Sequence, residues 1–168
     1  GDAAEFLDDA PPGPAGGGGI YATNDSQLTV VDSTFFDNRA QAEFGSGGAM
    51  FVRNSEVAVA RSTFSGNQAN ANGGGIAIAA GAAGLALVPL AASPITANLA
   101  EANGDTDGNG GGIFANNDLS GATLALSLAN TLVAGNTDSG FQTHPDLSLL
   151  GTVALASLGT NLLGSAEG

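Results

Sequence analysis

The chain has no cysteine, no lysine and no tryptophan among its 168 residues. Without cysteine it can form no disulfide and no thiolate metal or catalytic site. Only 5% of the residues are aromatic, whereas 27 are glycine, so few bulky side chains are available to fill a wide globular core. A thin core of stacked, similar units needs only a few apolar side chains per layer, and it fits this composition.

Positive charge is also scarce, with three arginines against 16 acidic residues and a net charge of −13. Binding to nucleic acid requires a basic surface that neutralises phosphates, and this chain does not have one. The balance therefore argues against nucleic acid, and equally against anionic membrane surfaces, as partners. It is compatible with divalent cations, with solubility at high salt or with simple charge repulsion between molecules.

A stretch without any charge between Arg61 and Glu101 raises the question of a membrane span. Ile76–Ala92 is nearly all apolar, but it is built mainly of alanine and glycine and is interrupted by Pro89. Because such a window inserts weakly, we predict strands here and no direct membrane insertion. The chain begins without a basic and apolar leader, so we expect any secretion signal to lie outside it.

A repeat runs through most of the chain. Each unit reads as a glycine step, an apolar strand and a turn asparagine that follows a β-branched or aromatic residue by three positions. The asparagines are Asn38, Asn67, Asn98 and Asn136, and the residues three positions before them are Phe35, Phe64, Ile95 and Val133. A period of this size is the signature of a solenoid.

The repeat register divides the chain into segments. Residues 1–15 form an acidic, proline-rich opening segment, in which we expect no helix beyond a turn near Glu5. Repeat units follow at 16–44, 45–72, 73–109 and 110–140, and a divergent fifth unit occupies 141–168. The third and fourth units are longer in the middle, and we expect the extra residues to form loops on one side of the solenoid.

The first two units match each other most closely, over Gln27–Phe35 and Glu56–Phe64. Apolar side chains alternate with smaller or polar ones at period two, which is typical of strands with one inward face. Asp32 and Arg61 occupy equivalent positions, so we predict an ion pair between the units. We also expect two inward stacks, one of Phe35, Phe64, Ile95 and Val133 and the other of Ile20, Met50, Ile76 and Ile113.

The asparagine column is the most specific local signal. Asparagine tolerates left-handed turn geometry, and its side-chain amide can bond to the asparagine of the next layer. Stacked identical amides form such ladders in other β assemblies. We predict a structural ladder of Asn38, Asn67, Asn98 and Asn136, with four unrelated surface turns as the alternative.

Two units carry a family resemblance. Gly18–Tyr21 followed by Ser33–Asn38, and Gly47–Phe51 followed by Ser62–Asn67, resemble the repeats of parallel β-helix proteins of the polymorphic outer-membrane-protein type and of pectin-lyase-like proteins. The resemblance covers about residues 16–164. It implies an all-β, right-handed parallel β-helix of about four to five coils, and we expect the chain to be a segment of a longer solenoid.

The resemblance implies an extracellular or bacterial cell-surface location. We expect a structural or adhesive scaffold that displays its turn loops to a cell-surface glycan or protein. The same fold hosts polysaccharide cleavage, so a polysaccharide-binding or polysaccharide-degrading domain, lyase or hydrolase, is the alternative. Such an enzyme needs a basic residue or clustered carboxylates at the sugar. We find no carboxylate column, assign no catalytic residue and favour a function without catalysis.

One acidic turn has the pattern of a Ca²⁺ loop. Asp105, Asp107 and Asn109 place oxygen ligands at alternate positions before a glycine, as such loops require. An EF-hand has a bidentate glutamate at the position of Asn116, so the ligand set is incomplete and a solvated acidic loop is the alternative. His144, the single histidine, is read as a turn residue.

Overall fold

The structure is a computed structural model that describes residues 16–104, 108–117, 121–139 and 144–167. All regular elements in these ranges are β-strands. Nowhere in them does a helix occur that is long and apolar enough to cross a membrane. The turn expected near Glu5 lies outside the described residues.

The described residues form twenty strands, which wind into five coils. The first coil contains β1 (Ile20–Ala22), β2 (Gln27–Val31), β3 (Thr34–Phe36) and β4 (Arg39–Ala40). The second contains β5 (Met50–Arg53), β6 (Glu56–Ala60), β7 (Thr63–Ser65) and β8 (Gln68–Ala69). The third contains β9 (Ile76–Ala79), β10 (Leu85–Ala91), β11 (Ile95–Thr96) and β12 (Leu99–Ala100).

The fourth coil contains β13 (Ile113–Asn117), β14 (Thr123–Ala129), β15 (Leu132–Val133) and β16 (Thr137–Asp138). The fifth contains β17 (Leu147–Gly151), β18 (Val153–Leu158) and β19 (Leu162–Leu163), and β20 (Ala166–Glu167) then begins a further layer. The fifth coil thus has no strand equivalent to β4, β8, β12 and β16 among the described residues.

Equivalent strands of successive coils pair in parallel to form four sheets. Their strand orders are β1-β5-β9-β13-β17-β20 for the first sheet, β2-β6-β10-β14-β18 for the second, β3-β7-β11-β15-β19 for the third and β4-β8-β12-β16 for the fourth. Neighbouring strands in such sheets lie about 4.8 Å apart, which sets the rise of each coil. The prediction of an all-β parallel solenoid of about four to five coils is therefore confirmed.

Both inward stacks expected from the repeat are present. Direct strand pairing aligns Ile20, Met50, Ile76 and Ile113 in the first sheet, and Phe35, Phe64, Ile95 and Val133 in the third. The rings of Phe35 and Phe64 stack with their centroids 4.7 Å apart. Burial of one such side chain stabilises a fold by about 1.5–3 kcal/mol, so a narrow core suffices when every coil contributes several.

The glycine step is required by the close approach of successive coils. A Cβ on Gly48 would overlap the carbonyl oxygen of Gly74, and a Cβ on Gly74 would overlap that of Gly111. Gly47 and Gly73 precede them with φ angles of 72° and 66°, a left-handed conformation that side chains disfavour. The step therefore turns the chain sharply and lets the next coil pack on bare backbone.

The extra residues in the middle of the longer units lie between the strands of the first and second sheets. In the third coil they form a turn, Ala80–Gly84, between β9 and β10, closed by a hydrogen bond from the Gly84 N–H to the Gly81 carbonyl (2.7 Å). In the fourth they separate β13 from β14, and the third unit is also longer after β12, in the connection to β13. The strands on either side keep their register, so the solenoid absorbs these insertions.

One left-handed position before the turn asparagines is occupied by an unsuitable residue. Ala97 has φ 55°, where the equivalent residues of the second and fourth coils are Gly66 and Gly135. An alanine held in this left-handed conformation destabilises the fold by about 1–2 kcal/mol. Glycine removes this strain but makes the unfolded chain more flexible, which offsets about 0.4–1 kcal/mol of the gain in stability. We expect Ala97→Gly to stabilise the fold by about 0.5–1 kcal/mol, measured by urea unfolding.

The matched control is Ala58→Gly in the middle of β6, which should destabilise by about 0.5–1 kcal/mol because glycine weakens a strand. Equal losses for Ala97→Gly and Ala58→Gly would contradict the assignment of strain to Ala97.

Candidate functional site

The four repeat asparagines form one hydrogen-bonded column. Nδ2 of Asn38 donates to Oδ1 of Asn67 at 2.9 Å, and Nδ2 of Asn67 donates to Oδ1 of Asn98 at 2.8 Å. Nδ2 of Asn98 then donates to Oδ1 of Asn136 at 2.9 Å. Each of these Oδ1 atoms also accepts the backbone N–H of the asparagine one coil earlier, at 3.0 Å. The structure therefore brings all four residues together, and donation runs in one direction along the solenoid.

The second amide hydrogen of each interior asparagine is used as well. It is donated to a backbone carbonyl of the preceding coil, from Asn67 to Phe35 (3.1 Å), from Asn98 to Phe64 (3.1 Å) and from Asn136 to Ile95 (2.9 Å). Asn67 and Asn98 are fully buried. A buried polar group without a partner costs about 1–3 kcal/mol. This position therefore requires a side chain with two N–H donors and one oxygen acceptor, which asparagine supplies.

The column ends at a carboxylate that sequence reasoning did not identify. Oδ1 of Asp146 accepts Nδ2 of Asn136 at 2.8 Å and its backbone N–H at 2.9 Å. Oδ2 of Asp146 accepts the N–H of Ser165 at 2.7 Å. An ionised carboxylate only accepts hydrogen bonds, so Asp146 closes the chain of amide donations.

A signal for Asp146 was present in the sequence. Leu163 is the fifth-coil partner of Val133, yet the residue three positions later is Ala166 and not asparagine. A column of inward amides that lacks its next member needs another acceptor, and Asp146 directly precedes the strand that continues the first sheet.

A second column, of hydroxyl groups, was also missed. The N–H of Ser33 donates to Oγ of Ser62 (3.2 Å), and the N–H of Ser62 donates to Oγ of Ser93 (3.1 Å). Thr131 continues the column in the fourth coil, and its own N–H donates to Oδ1 of Asn161 at 2.8 Å. All five residues stand two positions before a stacked apolar residue, which is the offset that could have revealed the column.

The predicted ion pair between the first two coils is present. Nε and Nη2 of Arg61 donate to the two carboxylate oxygens of Asp32 at 2.7 and 2.9 Å. The hydrogen bond from Arg61 lowers the pKa of Asp32. A lowered folded pKa means that the pair stabilises above the ordinary aspartate pKa and loses this effect as pH falls through the lowered value. Both side chains are exposed, so salt screens the effect.

The predicted Ca²⁺ ligands Asp105 and Asp107 lie outside the described residues, so the calcium site stays a prediction. Asn109 is half-buried, and no described group donates a hydrogen bond to its buried Oδ1. Within the described ranges, no three histidine, cysteine, aspartate or glutamate side chains are grouped to hold a metal. His144 is half-buried in the segment that leads into β17.

Buried carboxylates gather at the corner between the fourth and first sheets. Glu101 is 1% exposed, and Asp138 takes the inward position that Ala100 has in the coil before. Oδ2 of Asp138 accepts the N–H of Gly110 at 3.2 Å. Neither acid has an acidic counterpart at the same position of another coil, so the repeat pattern of the sequence contains no column of carboxylates. This hydrogen bond joins the side chain of Asp138 to the backbone at Gly110, in the connection that leads to β13.

The outward face of the second sheet is smooth and uncharged over the last three coils. It forms a shallow groove whose outward residues are Leu87, Pro89, Ala125, Ser127, Ala154 and Ala156. Among these residues only Ser127 carries a polar side chain. The groove can therefore offer contact area to a ligand but no acid, base or nucleophile of the strength that sugar cleavage requires.

No protein-family model matches the chain, and no curated protein or solved structure matches it either. The fold is therefore assigned from the parallel strand pairing alone.

We expect Asn67→Ala to destabilise the protein by about 1–3 kcal/mol, because it leaves the amide of Asn38 without its acceptor and the carbonyl of Phe35 without its donor. Urea unfolding followed by circular dichroism measures the loss. The exposed Gln41 supplies the control, since Gln41→Ala should change the unfolding free energy by less than about 0.5 kcal/mol. Equal results for the two variants would mean that the column contributes nothing.

Asp146→Asn tests the end of the column. An asparagine can still accept from Asn136 through Oδ1, but its Nδ2 would face the N–H of Ser165, so one donor would meet another. We expect a loss of about 1–3 kcal/mol, with protection of the Ser165 amide from hydrogen exchange reduced. Unchanged stability and exchange would show that the carboxylate is not needed there.

Proposed function

We propose that this chain is a structural or adhesive β-helix scaffold of a bacterial secreted or cell-surface protein, with repeats of the polymorphic outer-membrane-protein or pectin-lyase-like type. The proposal rests on one observation, that the polar side chains of the repeats form hydrogen bonds inside the solenoid. Asparagine amides, serine hydroxyls and buried carboxylates bond from coil to coil or to nearby backbone, and they leave smooth faces outside.

The arginines support a role without catalysis. Arg61 is engaged by Asp32, and Nη2 of Arg39 lies 3.2 Å from Oδ1 of Asp37. Eliminative cleavage of an acidic glycan needs a basic group free to take a proton, and hydrolysis needs two carboxylates on either side of the scissile bond. The third arginine, Arg53 on β5, is in neither pair, but a guanidinium stays protonated and has no acceptor site for a proton.

The groove on the second sheet is the surface best suited to a partner. Because it carries no charge, a neutral cell-surface glycan or an uncharged protein surface can cover it without burying a charged side chain, whereas the net charge of −13 disfavours an acidic partner. Contact along several coils would supply affinity through area, with the turn loops at its margins adding selectivity.

We expect no reducing ends to be released from polygalacturonate, alginate or neutral glycans, because the groove lacks acid and base groups. A reducing-end assay over a range of protein concentrations measures this, and product in proportion to the protein would contradict a scaffold role.

Binding to a glycan array tests the adhesive role of the groove directly. Ser127→Glu places a charge in the middle of the groove and should weaken retention about tenfold, about 1.4 kcal/mol. Thr63→Glu, on the third sheet, is the control that should bind as the parent does. No binding by the parent protein, or equal binding by both variants, would count against an adhesive role for the groove.

A further inference from the structure

Three asparagines of the chain are followed directly by glycine, and the structure places them in different surroundings. They are Asn72, Asn103 and Asn109. Glycine has no side chain to hinder its backbone nitrogen and adopts many backbone conformations, so its nitrogen can attack the preceding side-chain amide. The three dipeptides are equal in this respect. Differences in their reactivity must therefore come from the fold around them.

Two of these asparagines lead into the glycine steps of the third and fourth coils. The N–H of Gly73, which follows Asn72, donates to the carbonyl oxygen of Asn109 at 2.9 Å. The N–H of Gly110 donates to Oδ2 of Asp138 at 3.2 Å. Both glycines are buried. The nitrogens that would have to attack are thus held by hydrogen bonds inside the solenoid, and they become available only when this part of the fold opens.

The backbone around these two glycines is also tightly enclosed. A Cβ on Gly73 would overlap the carbonyl oxygen of Ile76, and a Cβ on Gly110 would overlap that of Ile113. Attack on the preceding side chain requires the backbone to turn, and there is no room for this movement at either position.

The third dipeptide lies in an open turn after β12. Asn103 and Gly104 are both exposed. A Cβ on Gly104 would meet no atom within 4 Å outside its chain neighbours. Its N–H donates to the carbonyl oxygen of Glu101 at 3.2 Å, a hydrogen bond within one exposed turn that water can replace. The backbone nitrogen of Gly104 is therefore accessible and has room to move.

We propose that Asn103 is a site of spontaneous deamidation, and that the glycine steps protect Asn72 and Asn109 from the same reaction. The nitrogen of Gly104 loses its proton to solvent and forms a bond to Cγ of Asn103. The bond from Cγ to the side-chain nitrogen breaks, and that nitrogen takes up a proton and leaves as ammonia. Water then opens the resulting succinimide ring at either carbonyl, which gives aspartate or isoaspartate.

The reaction changes the surface of the protein without disturbing its register. Either product adds one negative charge to the net charge of −13. Isoaspartate also lengthens the backbone of the turn, because the chain then runs through the side-chain carboxyl carbon. The four asparagines of the column are followed by arginine, glutamine, leucine and threonine. The hydrogen bonds between coils are therefore retained in the modified protein.

Peptide mapping by mass spectrometry during incubation at neutral pH measures the reaction at each site. The chain has no lysine, and its last arginine is Arg61, so trypsin cannot separate the three asparagines. Cleavage after Glu101 and before Asp105 separates them. In the folded protein, Asn103 should react at least about tenfold faster than the other two, which corresponds to about 1.4 kcal/mol in activation free energy.

The same measurement in urea that unfolds the chain separates the effect of the fold from that of the sequence. The three rates should then become similar, because all three asparagines precede a glycine. A folded protein in which Asn103 reacts no faster than the other two would overturn the proposal. So would a difference between the sites that stays the same in urea.

Two variants test the reaction and the protection separately, with circular dichroism to establish that each is folded. Asn103→Gln should remove the fast step, because glutamine must close a larger ring, and rapid release of ammonia from this variant would overturn the assignment. Asp138→Ala introduces the residue that Ala100 supplies in the coil before. It removes the acceptor of the Gly110 N–H and should speed the deamidation of Asn109. An unchanged rate at Asn109 would overturn the protection assigned to its glycine step.

Discussion

Hydrogen bonds between equivalent side chains of successive coils are the constraint on which this structure depends. A parallel sheet can in principle slide by one residue, but the column through Asn67 and Asn98 is satisfied in one register only. Both of these amides are fully buried, so a slip would leave donors and acceptors without partners inside the protein. The apolar stacks then supply cohesion in a register that the amides have selected.

The same constraint shapes what remains available for function. Polar side chains that could have served chemistry on the surface are instead turned inward or towards neighbouring backbone, as Asn136 and Asp146 illustrate. The outward face of the second sheet is left uncharged over the last three coils, and charged outward residues such as Asp32 and Arg61 occur in the first two. A protein built in this way is suited to presenting an extended surface, and its contacts with partners depend on area and on the absence of charge.

Much of this arrangement was predictable because it repeats. The alignment of Asn38 with Asn67, and of Phe35 with Phe64, follows from equal spacing in the first two units. The Asp32 to Arg61 pair follows from the same spacing. Asp146 was not found, because it replaces a missing asparagine from a different part of its coil. The buried position of Asp138 was missed for a different reason: it stands two residues after Asn136, as the buried Ala100 does after Asn98, but a carboxylate is unexpected at a position that the other coils fill with alanine.

The sequence by itself determined the parallel β fold, the number of coils and the residues of the asparagine column, because repetition encodes neighbours at constant spacing. Only the tertiary structure decided where that column ends and which carboxylate ends it. It also decided that Asp138 is buried in a stack otherwise made of alanines, where it accepts the N–H of Gly110. Such features depend on what lies in the next layer, and a periodic pattern contains no information about a layer that departs from the period.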